Sequence, residues 1–158
     1  MKRNIGRLII QILLVLGTFG ILLYFVNAEL EDLKEVSRVE EINKNLKDMR
    51  IALEKYYEET GTYPNLTLPG AKDNLKELDY INEDGKIISF AEIYGRNTIP
   101  KLRGIKNIPE SNVVYDVQDF NLGNNMGGWN YNYTERTGEI HANLSDDAFS
   151  EKINWQRQ

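Results

Sequence analysis

Apolar side chains follow two different patterns in the N-terminal third of this chain, and together they predict one helix in two solvents. Across residues 8–26 nearly every side chain is apolar, with Gln11 the one strongly polar exception. As a helix this run spans roughly 28 Å, close to the hydrocarbon thickness of a bilayer. Residues 29–59 contain no Gly or Pro, and Leu30, Leu33, Val36, Val39, Ile42, Leu46, Met49, Leu53 and Tyr56 recur in steps of three and four. That spacing lines one helical face, while Glu40, Lys44 and Asp48 mark another. Gly61 supplies a C-terminal cap, and Pro64 forbids continuation soon after. The steps from Val39 to Tyr56 match a coiled-coil seam but are too short a run for a sustained register. The expected cover for the whole stripe is therefore the chain's own later strands, with dimerisation as the alternative.

Beyond Pro64 the period changes. Residues 65–72 read as a loop, and residues 73–78 as a short helix capped by Asp73. Asp84-Gly85 between Tyr80-Ile81 and Ile87-Ile88 predicts a hairpin turn. Residues 91–112, with Pro100 and Pro109, read mainly as irregular chain, and residues 112–117 as a strand. The clearest hairpin joins residues 127–133 to 139–144. Trp129, Tyr131 and Tyr133 alternate onto one face, as Ile140, Ala142 and Leu144 do on the returning strand. The same alternation turns His141 to the opposite face, where an exposed or edge position is expected. The fold class is α+β: a long N-terminal helix packed on a small antiparallel sheet.

Charge assigns the two parts to different sides of a membrane. Residues 1–28 hold Lys2, Arg3 and Arg7 and no acid, and the remainder holds all 24 acids. A basic N-terminal flank stays in the cytoplasm by the positive-inside rule, so the rest is exported. The acidic soluble part argues against nucleic acid as a partner, since that requires an excess of Lys and Arg. With 158 residues there is room for one modest domain beside the apolar segment. Absence of cysteine removes disulfides, thiolate metal sites and a cysteine nucleophile.

Little in the chain points to catalysis. His141 is the only histidine, so no histidine pair exists for zinc, and no serine lies in a nucleophile elbow. No glycine-rich phosphate loop follows a strand. Asp146 and Asp147 after Asn143 are weak candidates for calcium, and Asp119, Asn121, Asn124 and Asn125 form a second oxygen-rich loop. Neither reproduces an EF-hand pattern, and a solvated acidic turn is the plainer expectation. The chain is expected not to be an enzyme.

Three stretches carry a family resemblance. Gly6-Arg7-Leu8-Ile9-Ile10-Gln11, with Gly20-Ile21-Leu22 further along, is similar to the start of type IV pilins and type II secretion pseudopilins. Ala52-Leu53-Glu54-Lys55-Tyr56, followed by Gly61-Thr62-Tyr63-Pro64, looks like that family's helix end. Gly127-Gly128-Trp129-Asn130-Tyr131 and Thr137-Gly138-Glu139-Ile140 look like its terminal hairpin. On this register Gly6 is the leader-cleavage glycine. Arg7 stands where the family has phenylalanine, and Gln11 where it has glutamate.

The resemblance implies a division into a basic leader or cytoplasmic flank at 1–6, an assembly helix half at 7–28, and a globular domain at 29–158 that includes the soluble helix half 29–60. It implies a single-pass protein of the bacterial cytoplasmic membrane, its soluble domain outside the cytoplasm. Its function would be structural, as a subunit of a pilus-like or secretion pseudopilus filament. The implied partners are other pilin-like subunits, a prepilin peptidase that cuts between Gly6 and Arg7 and methylates the new amine, an inner-membrane assembly platform and the lipid bilayer. Gln11 is the implied assembly contact. Neutral glutamine hydrogen-bonds but cannot neutralise an amine, which points to a minor or atypical subunit. The alternative is a membrane-anchored extracytoplasmic binding module with a pilin-like domain that does not polymerise. A third reading, cleavage after Ala28, would release a secreted domain.

Overall fold

The computed structural model describes residues 2–103 and 108–158, with the side chains of residues 2–5, 8 and 28 outside that description. Two compact units divide the chain, Met1–Arg38 and Val39–Gln158. Helix α1 covers Lys2–Thr60 and belongs to both. The elements that follow are a 3-10 turn at Leu75–Leu78, β1 at Tyr80–Ile81, β2 at Ile87–Ile88 and α2 at Phe90–Tyr94. After them come β3 at Val114–Asp116, a 3-10 turn at Phe120–Leu122, β4 at Trp129–Tyr131 and β5 at Ile140–Ala142. The mixed α+β class is observed.

Over residues 9–26, within the first unit, α1 is apolar on every side. From Ile9 to Val26 the described side chains are exposed, and this is the one helix among the described residues long and apolar enough to cross a membrane.

In the second unit α1 contributes Ile42, Leu46, Met49, Ala52, Leu53 and Tyr56 to one hydrophobic cluster that also holds Trp129, Tyr131, Ile140, Ala142 and Trp155. The predicted stripe is thus buried from Ile42 onward, with Val39 packed against its edge. Its first part is not: Leu30, Leu33 and Val36 are exposed, because they precede the residues at which the core begins. The helix ends as its sequence dictates. Gly61 takes a left-handed φ of 71° and donates its N–H to the Tyr57 carbonyl at 2.7 Å.

Buried aromatics pin the loops to this core through their polar tips. Trp129 Nε1 donates to the Pro100 carbonyl at 2.8 Å, and Tyr131 Oη to the Pro64 carbonyl at 2.9 Å. Tyr56 Oη donates to the Leu78 carbonyl at 2.9 Å, and burial first, with Asp79 adding, pushes that phenol up to about 12. Tyr63 stacks on Tyr57 with ring centres 4.6 Å apart. A Cβ at Gly138, whose φ is 69°, would collide with the Tyr63 ring, so glycine closes that hairpin for steric reasons too.

The sheet corrects the expectation of an antiparallel arrangement. β1 and β2 form the predicted antiparallel hairpin, Tyr80 opposite Ile88 and Ile81 opposite Ile87. The larger sheet runs β3-β4-β5 and is mixed: β4 and β5 are antiparallel, while β3 lies parallel to β4 with Val114 beside Trp129. Residues 117–128 supply a crossover of the length that parallel strands need, and they carry the Phe120–Leu122 turn on the way. Two smaller corrections concern residues 73–112. Asn74, not Asp73, caps the 3-10 turn through the Lys76 N–H, since Asp73 is held by Lys72 and by Asn112 Nδ2. The stretch read as irregular opens with the end of α2, whose Phe90 and Ala91 are buried. Residues 104–107 of that stretch lie outside the described residues.

Candidate functional site

Each predicted site residue of the N-terminal segment sits on α1. Gly6, Arg7 and Gln11 are exposed, and their helix is built from residues with no breaker strong enough to interrupt it in an apolar setting. Gln11 borders a shallow apolar groove with Ile12, Val15 and Leu16. The other polar side chain nearby is already satisfied, since the Thr18 hydroxyl donates to the Val15 carbonyl at 2.9 Å. Among the described residues Gln11 has no such partner. In hydrocarbon an unsatisfied amide would cost on the order of several kcal/mol.

The calcium candidates stand apart from this segment in sequence and do not converge. Asp146 and Asp147 are exposed, and the Asp146 carbonyl accepts the Ile153 N–H at 3.0 Å. Among the described residues no three Asp, Glu or His side chains gather where they could hold a metal ion. In the second oxygen-rich loop the oxygens have internal duties. Asp119 Oδ1 accepts from the Asn121 N–H at 2.9 Å and from its side-chain amide at 2.8 Å. Asn143, fully buried, donates to Asn124 Oδ1 at 2.6 Å and to the Gly127 carbonyl at 2.9 Å, while its own Oδ1 accepts from the Asn125 N–H at 3.0 Å. This asparagine braces the crossover against β5.

His141 requires a correction. It is buried, not exposed, with Phe120 tilted against its ring at 4.4 Å and Trp155 behind it. Nδ1 lies 3.2 Å from the Trp155 carbonyl and Nε2 lies 2.8 Å from Glu139 Oε1. Arg50, on α1, donates from Nη2 and Nε to the Ile140 carbonyl at 2.7 and 3.2 Å, and from Nη2 to the Gln158 carbonyl. Burial holds the Arg50 guanidinium below its ordinary pKa, against the opposing pull of Glu139. The Trp155 carbonyl and Phe120 of the crossover thus cover His141 on the face of β5 opposite Ile140 and Ala142, and Asn130 and Asn132, which alternate with the β4 aromatics, are buried as well. Sequence alternation missed this cluster. The available signals were the asparagines that alternate with the β4 aromatics and the lone Trp155 in a polar tail.

Through Arg50 and His141 this cluster ties α1 and β5 to the C-terminal tail, while the buried Asn130 Oδ1 and Trp155 Nε1 have no hydrogen-bond partner among the described residues. Among the described residues the apolar half of α1 is exposed from Ile9 to Val26. Comparison with known proteins adds no relative: no family model, curated protein or solved structure matches the chain.

Proposed function

We propose that the chain is a pilin-like structural subunit that assembles through the apolar half of α1 into a type IV pilus-like or type II secretion pseudopilus filament. The observation that supports this reading is α1 itself, exposed and apolar on all sides over residues 9–26 and amphipathic with a buried stripe from Ile42. Such a helix is stable in lipid because its backbone is internally hydrogen-bonded. It leaves lipid for a bundle of its own kind because close packing and interhelical hydrogen bonds offer a better complement than acyl chains do. The basic flank retains the N-terminus in the cytoplasm and the globular unit lies outside it. Gln11 gives each subunit one neutral hydrogen-bonding handle at the level where helices pack. That suits a minor or atypical subunit of the filament.

Arg7 and Gln11, in place of the family's phenylalanine and glutamate, favour a second reading, an anchored binding module that never polymerises. Shearing intact cells separates the two. As a filament subunit, the chain is recovered in the sheared high-mass fraction together with other pilin-like proteins; as an anchored module, it stays wholly with the membrane. Gln11→Glu is expected to preserve or raise incorporation. Loss of assembly in that variant, with the protein still abundant, would contradict the role given to Gln11.

A further inference from the structure

Between the apolar run and the core, α1 carries Leu30, Leu33 and Val36, which are 47%, 65% and 57% exposed. At about 100° per residue these three lie along one stripe of the helix, with Glu29 and Ser37 at its two ends. Glu31, Glu35 and Arg38 turn away from it. Lipid does not cover this stripe, because Glu29, Glu31, Asp32, Lys34, Glu35 and Arg38 crowd the same stretch and charges at that density stay out of hydrocarbon. An apolar stripe in water, with its polar surround, marks a protein contact.

The residues that border the stripe say which protein. Asp32 runs along one edge and Lys34 along the other. Two such helices lying parallel bring the Asp32 edge of one against the Lys34 edge of its neighbour, whereas an antiparallel pair would set like edges together. Two copies anchored by the same N-terminal segment are necessarily parallel and at the same depth. The Glu31–Lys34 contact, 3.7 Å between largely exposed groups, is too weak to commit Lys34 elsewhere.

We infer that Leu30, Leu33 and Val36 dock on the same stripe of a second copy of this chain, parallel and in register, with Asp32 of one copy facing Lys34 of the other. This rests on the reading of α1 as an anchored assembly helix and adds to it a contact outside the membrane.

The absence of native cysteine makes the test direct. Single variants Leu33→Cys and Val36→Cys, and Glu31→Cys and Asn27→Cys at exposed positions off the stripe, are oxidised as full chains in their native membrane. The stripe variants are expected to give several-fold more disulfide dimer than the off-stripe pair. Adding Asp32→Lys to Leu33→Cys should lower the dimer by roughly fivefold, the scale of an exposed ion pair, and adding Lys34→Asp to that variant should restore it. Equal dimer from all four positions, no dimer at Leu33, or a crosslink there to a different protein would overturn the inference. Shearing the same Leu33→Cys cells keeps the two proposals distinct. Chain in filaments without the Leu33 dimer rejects the stripe and leaves assembly standing; dimer in membranes with no filament rejects the filament and leaves the stripe standing.

Discussion

The two ends of α1 are one secondary structure under two selection rules. Over residues 9–26 the helix is apolar in every direction and none of its described side chains is buried; over residues 42–56 it is apolar on one face and that face is almost wholly buried. The first pattern solves a solvent problem, since any side that met water would cost free energy. The second solves a packing problem, since only the side that meets Trp129, Tyr131 and Ile140 needs to be apolar. What a helix face is made of thus reports what covers it, and residues 29–38, apolar on one face and charged on the others, belong to neither regime.

Substitutions that respect one regime should be fatal only in the other. Trp129→Ala should have the largest effect, costing the globular unit about 3–5 kcal/mol through the cavity and leaving the Pro100 carbonyl without its donor. Thermal unfolding in detergent should show the loss, while membrane retention is unchanged. Leu16→Arg should do the converse, opposing insertion by roughly 3 kcal/mol near mid-span, so that the chain becomes extractable by alkaline carbonate with its near-UV signature intact.

That pair of outcomes also marks how far the sequence was legible. Both helix regimes, the Gly61 cap and the existence and facing of the β4–β5 hairpin follow from local spacing, because each is enforced within a few residues. The parallel placement of β3 does not, since a crossover at 117–128 and a long hairpin arm have the same composition. His141 was misplaced for a related reason. Alternation correctly set it opposite Ile140 and Ala142, but Phe120 and Trp155, remote in sequence, decide that this face is interior as well. The candidate site residues of the apolar segment were legible as positions on a helix, and a single chain does not supply what Gln11 meets.

Smaller effects are expected at two polar contacts of the globular unit. Arg50→Met keeps the apolar stem on α1 and removes the donors to the Ile140 and Gln158 carbonyls. It should cost about 1–3 kcal/mol and show first as protease cleavage within residues 145–158. Thr134→Val should cost less than about 1 kcal/mol, and only in part of the pH range. Burial alone would raise the Asp116 carboxyl, but the Thr134 hydroxyl and the Thr134 and Tyr133 amides outweigh it and hold the group below its ordinary value. A depressed folded-state value stabilises above the unfolded pKa and is lost as pH falls through the folded one. The deficit of Thr134→Val relative to the native protein should therefore be full at pH 7 and vanish in strong acid, below the usual carboxylate range, which urea titrations at the two pH values would read.

An assembly shaft and a static tether differ in the mass of the N-terminal peptide from protein recovered in its native membrane. An assembly shaft is expected to start at Arg7, with a methylated amine. A start at Met1 would leave a folded domain on a fixed anchor, a start at Glu29 would make it a secreted protein, and either would contradict the filament.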